Sequence, residues 1–327
     1  MTAAAYDVVA VGNAIVDVLA QVPYEFITRH RLAPASMSLI DEARALELTD
    51  LFPEKVIAPG GSAANTMTGV ASFGGRAGYM GKVSDDDMGG EFTRAFRAEG
   101  VRFETPPRSG QPATARSLIA VTPDGQRSMN TFLGASTLLD SNDIDKGLIE
   151  SASILFLEGY LFDRDEAKAA FVHASEIAQS AERKVSVTLS DLFCVERHRA
   201  SFRHLVEHHV DVLFANEHEM LALYETHDLD SALSQAAQVC PIVAVTRSEK
   251  GSLIAAGDAR IAVKAEPIDK VVDTTGAGDQ YAAGFLFGLS RNMPLDACGR
   301  LGSIAAAEVI SHMGPRPEQS LKALAGL

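Results

Sequence analysis

Cysteine is scarce in this chain: Cys194, Cys240 and Cys298 are the three among 327 residues. They are too few and too scattered for a disulfide framework or a zinc cluster, so reduced, mostly buried thiols are expected. Basic residues are in deficit too, 29 against 43 acidic ones, for a net charge of −14. That balance argues against nucleic acid or an anionic membrane as the main partner, while leaving room for a local basic pocket. No uncharged apolar run reaches the ~18 residues of a membrane span. Residues 1–7 lack the basic and apolar regions of a signal peptide, so a cytoplasmic protein is expected. Familiar templates are missing as well. No G-x-G-x-x-G follows the first apolar run, and Arg76 and Val83 break the G-x-x-x-x-G-K-[ST] pattern around Gly81-Lys82. Asp85-Asp86-Asp87 lacks the Gly and Glu of a calcium loop and reads as a turn and helix cap.

What is present is an ordinary core-forming composition, 46 % hydrophobic and 22 % charged. Val8-Val9-Ala10-Val11-Gly12 is a short β-branched run stopped by glycine, a buried strand. Residues 18–40 read as irregular or extended, and Asp41 caps an amphipathic helix after them. Alternation around Pro123-Asp124-Gly125 predicts a hairpin of Ala115–Val121 and Ser128–Leu133. From about residue 150 strands and helices alternate: a strand at Ile154–Leu157, a helix near Asp165–Arg183, strands at Val185–Leu189 and Val212–Phe214, and between these a helix near Arg197–His209. Such alternation implies right-handed crossovers and a parallel sheet. No linker or repeat interrupts it, so one α/β domain is expected over 1–327. His204-Leu-Val-Glu207-His208 matches a zinc-peptidase template, but a site there would still need a third ligand, the short motif arises easily by chance, and it reads as the polar face of a surface helix.

The chain is organised around Asp273-Thr274-Thr275-Gly276-Ala277-Gly278-Asp279, preceded by the extended Lys270-Val271-Val272 and followed by an apolar helix. Glycines let backbone N–H groups approach a ligand, and the first N–H groups of a helix, with its dipole, form an anion site. Asp279 in the first turn could simply stabilise the helix. Beside an anion hole it could instead take a proton from a hydroxyl attacking the phosphoryl group held there.

That heptapeptide resembles the C-terminal signature of the ribokinase-type (PfkB) family of sugar and nucleoside kinases. Pro59-Gly60-Gly61-Ser62-Ala63-Ala64-Asn65 resembles its N-terminal one, and the likeness spans essentially the whole chain. The resemblance implies a ribokinase-like fold: a central, mostly parallel sheet flanked by helices, with a small β-sheet lid from segments near 14–40 and 105–134. It implies ATP and Mg2+ as cofactors, with a potassium site in some members near Asp273, and a monomer or homodimer. Asp279 would be the catalytic base, Gly276, Ala277 and Gly278 the anion hole, and Arg127 a lid arginine closing on the phosphate. Asn13, Asp17, Gly60, Gly61, Ser62 and Asn65 would bind the acceptor, Asp17 taking two vicinal hydroxyls. Asn216, Thr246, Arg247 and Gly251, with Gly276 and Gly278, would hold ATP. Glu219, in Asn216-Glu-His-Glu219, would reach magnesium through water. Residue 248 is serine where the family more often has glycine.

Several stretches, among them Asp124–Asn130 and Val272–Leu286, look closer to the adenosine-phosphorylating branch than to ribokinases or fructokinases. A base would then lie among Met37, Met129 and Tyr160 or Leu161. Glu158 resembles an acid of the sugar-phosphorylating branch, which keeps a sugar acceptor open. A noncatalytic nucleotide-binding protein and a zinc protein are the remote alternatives.

Overall fold

A computed structural model describes residues 4–34 and 36–327. In chain order the first strands are β1 (Tyr6–Val11), β2 (Ile15–Gln21), β3 (Met37–Leu39), β4 (Val56–Gly60) and β5 (Ala77–Met80). Next come β6 (Val101–Phe103), β7 (Ala115–Val121), β8 (Arg127–Phe132), β9 (Ala152–Glu158) and β10 (Lys184–Thr188). The last are β11 (Val212–Asn216), β12 (Ile242–Thr246), β13 (Ser252–Ala256) and β14 (Ala259–Val263). Nine strands form the main sheet in the order β14-β13-β12-β11-β10-β9-β1-β5-β6. From β12 through β6 neighbours run parallel, and β13 and β14 close one edge as antiparallel strands.

The sheet is buried on both faces, which is why its strands read as unbroken apolar runs. In β1 the period of two sends Val9 and Val11 into one core and Val8 and Ala10 into the other, all four fully buried. The helices Asp165–Ser180 and Leu192–His209 cover the first face, and Ser62–Ser72 and Ala277–Ser290 pack on the second. This is the ribokinase-like architecture that the resemblance implied.

A second sheet of five strands, in the order β3-β8-β7-β2-β4, lies beyond it. Here the local reading needed correction. The stretch 18–40, read as irregular or extended, holds the end of β2 and all of β3 but also the helix Tyr24–Arg29, and Val56–Gly60, not foreseen as a strand, forms an edge of this sheet. Short edge strands with proline and glycine carry little pattern of their own, and pairing with β2 supplies what propensity does not. Lys270-Val271-Val272 forms no strand and joins no sheet; the Val272 N–H donates to the Ile310 carbonyl at 2.8 Å. Asp41 and Asp86 cap the helices that follow them, accepting the N–H groups of Arg44 and Gly89. His204 and His208 stack edge-on at 4.7 Å, and no set of three metal-ligating side chains forms among the described residues. Cys194, Cys240 and Cys298 are buried and free of disulfides. No helix among the described residues is long and apolar enough to cross a membrane.

Candidate active site

The carboxyl ends of the parallel strands open onto a cavity of about 620 Å³. In open α/β sheets this is where ligands bind, because loops diverge there and helices begin. Asn13 follows β1, Glu158 ends β9, Thr188 ends β10, Asn216 ends β11 and Thr246 ends β12; all five line the cavity. Two helices aim their N-termini into it, one through Gly61 and Ser62 and the other through Gly276, Ala277 and Gly278. Gly276 has φ +79°, and a Cβ there would lie 2.7 Å from the Pro315 backbone, so only glycine fits this turn. A Cβ on Gly278 would meet nothing within 4 Å, so the space beside its Cα is open.

Asp279 joins the two halves of the chain. Its carboxylate accepts from Ser62 Oγ at 2.6 Å and from Asn65 Nδ2 at 3.1 Å, across more than two hundred residues. It lines the cavity on one side and is enclosed by protein on the others. That enclosure pushes its carboxyl up to about 6, against the two hydrogen bonds that favour the charged form. A base in that range is ionised at neutral pH and still basic enough to accept a hydroxyl proton in a transition state.

Asp17 projects from β2 into the same cavity. Burial raises its carboxyl to about 6, while the charges of Arg316 and Arg127 oppose the rise. Gly60 stands behind it: a Cβ there would lie 2.5 Å from the Asp17 carboxylate, so a side chain would displace that group. Glu158 is 1 % exposed. It accepts from the Asn13 N–H at 3.2 Å, Asn13 Nδ2 at 2.8 Å and the Ala63 N–H at 2.7 Å. Burial pushes it up to about 7 despite these donors. Glu158 thus clamps the end of β1 to the start of the helix Ser62–Ser72.

On the other side, Asn216 caps the helix Glu217–Leu223 in a reciprocal capping box with Glu219. Asn216 Nδ2 donates to Glu219 Oε1 at 2.6 Å and its N–H to Oε2 at 2.9 Å; burial raises Glu219 to about 7.

Of the residues the sequence singles out, Asn13, Asp17, Met37, Gly61, Ser62, Asn65, Met129, Tyr160, Asn216, Glu219, Thr246, Gly276, Ala277, Gly278 and Asp279 all line this one cavity. Five others do not line it. Gly60 sits behind Asp17. Arg127 turns to Asp273, with its Nη2 at 2.6 Å from the carboxylate. Arg247 and Gly251 shape the turn after β12, the Arg247 N–H donating to the Gly251 carbonyl at 2.7 Å. Leu161 is buried in the core behind Tyr160 rather than at the cavity wall. Sequence reasoning missed Ile15, Leu39, Ser117, Ile119 and Thr131 on the second sheet, and Phe193 and Arg197 on the helix Leu192–His209. Alternation in β7 and β8 could have exposed Ser117, Ile119 and Thr131, since Met129 and Thr131 share a face. Nothing local marks Phe193.

A ribokinase-like sheet whose strand ends meet a glycine-rich helix start with an acid in its first turn is the arrangement of a phosphotransferase acting on a hydroxyl group. Residues 36–321 match the pfkB family of carbohydrate kinases, and the chain belongs to that family. Among solved structures it is similar to the adenosine kinase from Sinorhizobium meliloti, 48 % identical with a TM-score of 0.91 over 98 % of each chain. It is similar also to a probable sugar kinase protein from Rhizobium etli CFN 42, 45 % identical with a TM-score of 0.92, over 99 % of this chain and 98 % of that one. The adenosine kinase of Saccharomyces cerevisiae is 26 % identical over 94 % of this chain and 95 % of its own. Membership of this family implies ATP as phosphoryl donor.

Proposed function

We infer that this kinase transfers the γ-phosphoryl group of ATP to the 5′-hydroxyl of adenosine. One observation carries the reading: the cavity face of the second sheet is divided into two rows by its register. Asp17 pairs with Ser117 and Ser117 with Thr131, three polar residues in a row that ends at Leu39 on β3. One step along, Ile119 pairs with Met129 and Met129 with Met37, an apolar row. A ligand with a vicinal diol at one end and a flat apolar ring at the other matches that division. A carboxylate accepts two hydroxyl protons at once, and a buried purine contributes apolar area that a bare pentose lacks.

In the mechanism, Asp17 orients the diol and Asp279 accepts the proton of the attacking hydroxyl. The N–H groups of Gly276–Gly278 stabilise charge on the phosphoryl oxygens during in-line transfer. Asn216 and Thr246 border the donor end, with the turn of Arg247 and Gly251 beneath them. The donor set fits magnesium. That ion keeps several waters and takes few carboxylates, so Glu219, held by Asn216, is an adequate water-mediated partner. Magnesium bound with ATP supplies neutralisation of phosphate charge. Potassium fits less well. The Asp273 carboxylate already receives the Thr275 N–H and hydroxyl, the Gly314 N–H and Arg127, which fills its acceptor sites.

The test is a coupled ADP-release assay across adenosine, inosine, ribose and fructose. Adenosine should exceed ribose in kcat/KM by at least about a hundredfold, roughly 2.7 kcal/mol of differential transition-state stabilisation. Turnover of ribose or fructose with none of adenosine would overturn the nucleoside reading in favour of a sugar kinase.

A further inference from the structure

Arg316 belongs to neither signature, yet it hydrogen-bonds Asn65 of the first, which in turn bonds Asp279 of the second. It follows the helix Leu295–Val309 in an irregular segment, and its side chain is 14 % exposed. Its Nε–H donates to Asn65 Oδ1 at 3.2 Å, and its Nη1 reaches the two Glu99 oxygens at 2.6 and 2.5 Å. Gln280 steadies the same residue from below, its Nε2 donating to the Asn65 carbonyl at 2.9 Å and the Pro315 carbonyl at 3.0 Å. Asn65 in turn donates from Nδ2 to Asp279 Oδ2 at 3.1 Å.

An asparagine amide can turn over, exchanging its oxygen for its nitrogen with almost no change of shape. A guanidinium carries donors only, so the amide oxygen must face Arg316 and the NH2 group must face Asp279. Turned the other way, the oxygen would oppose a carboxylate and the NH2 group would oppose a cation. We propose that Arg316 is a positioning residue for phosphoryl transfer: anchored by Glu99, it orients the Asn65 amide so that Nδ2 meets the Asp279 carboxylate. This rests on the reading of Asp279 as the base. Asn65 and Ser62 are the two donors that hold the Asp279 proton affinity down against burial. The titratable groups facing Asp279 are Glu158 at the end of β9 and Tyr160 just beyond it; Asp17 on β2 lines the same cavity.

The experiment compares Arg316→Met, which removes donors and charge, with Arg316→Lys, which keeps a donor-only cation. The first readout needs no acceptor: a 13C NMR titration of aspartate-labelled protein, with Asp279 assigned through Asp279→Asn. In Arg316→Met the Asp279 pKa should rise by at least about half a unit, since a donor to the charged form is lost. On whichever acceptor the wild type phosphorylates, kcat at pH 7 should fall by roughly tenfold or more. The acid limb of the kcat profile should move to higher pH, and Arg316→Lys should recover most of both effects. If Arg316→Met is too unstable to study, Glu99→Gln should shift Asp279 in the same direction by less. An unmoved Asp279 pKa, equal effects in the Met and Lys variants, or a rise in acceptor KM with kcat intact would each overturn the proposal. Near-wild-type turnover by Asp279→Asn would instead remove the base assignment itself, and the substrate panel scores the acceptor separately.

Discussion

Arg127 Nη2 lies 2.6 Å from Asp273 Oδ2, with both side chains only 8 % exposed. The pair ties β8 of the second sheet to the first residue of the anion-hole segment. It is a direct bond between the second sheet and the loop that leads into the helix Ala277–Ser290. Nε and Nη1 of Arg127 are buried without hydrogen-bond partners among the described residues. Two nitrogens of the same guanidinium are therefore left unsatisfied in this arrangement, away from the cavity wall.

Removing this arginine should cost both stability and rate. Breaking a buried ion pair leaves the other charge uncompensated, and Asp273 keeps three remaining donors, so the loss expected for Arg127→Ala is about 3 kcal/mol. Chemical denaturation reads it, and kcat should drop with it. A variant as stable and as fast as the wild type would show that the pair matters to neither.

Asp279→Asn preserves size and removes the base, which should lower kcat by on the order of 10²–10⁴ with the fold intact. In the wild type, kcat should climb as pH rises through about 6, because the raised carboxyl must lose its proton before it can accept another. Steady-state kinetics from pH 5 to 8 measure both. A flat profile over that range excludes Asp279 as the titrating group.

Glu158 makes the free protein pH-sensitive in a direction that can be worked out. Its ordinary value of 4.5 is raised by burial to about 7. Between those values the native state binds more proton than the unfolded chain, so stability falls as pH rises. The contribution is complete below pH 4.5, is lost by pH 7, and amounts to about 3 kcal/mol at most. Glu158→Gln removes the titration. The difference in unfolding free energy between pH 5 and 8 should be smaller in that variant; identical slopes would refute the assignment.

Glu219→Gln should make the magnesium dependence of turnover steeper while leaving adenosine affinity within about twofold, since a single water-mediated carboxylate is lost. Magnesium titrations that overlay those of the wild type would remove Glu219 from the metal site.

Two substitutions separate the ends of the acceptor. Met129→Ala, in the apolar row, should reduce kcat/KM for adenosine more than for ribose, by roughly 10–200-fold against little change. Gly60→Ala, whose new methyl would meet the Asp17 carboxylate at 2.5 Å, should raise KM for both. Equal effects of Met129→Ala on the two acceptors would argue that no base lies against that row.

Local chemistry made much of this site legible in the sequence. Gly61 and Gly276 adopt positive φ at the starts of two helices, a requirement that two or three residues state by themselves, so both signatures could be read without a fold. The parallel sheet was readable for the same kind of reason, because strands buried on both faces announce themselves as apolar runs between helical patterns. What depends on distance in the chain was not. That Ser62 and Asn65 hydrogen-bond Asp279, that Glu158 serves Asn13 and Ala63, and that Arg127 turns to Asp273 are meetings across 95 to 217 positions. Only packing brings such groups together, and a charge in a sequence does not say which partner it will meet. The strand Val56–Gly60 shows the same limit in the backbone: with proline and glycine in five residues it has no pattern to read, and it exists because β2 offers it hydrogen bonds. Residue type and helix-start chemistry determined which groups could act; the tertiary structure alone decided which of them face one another, because desolvation and hydrogen-bond geometry are properties of neighbours in space.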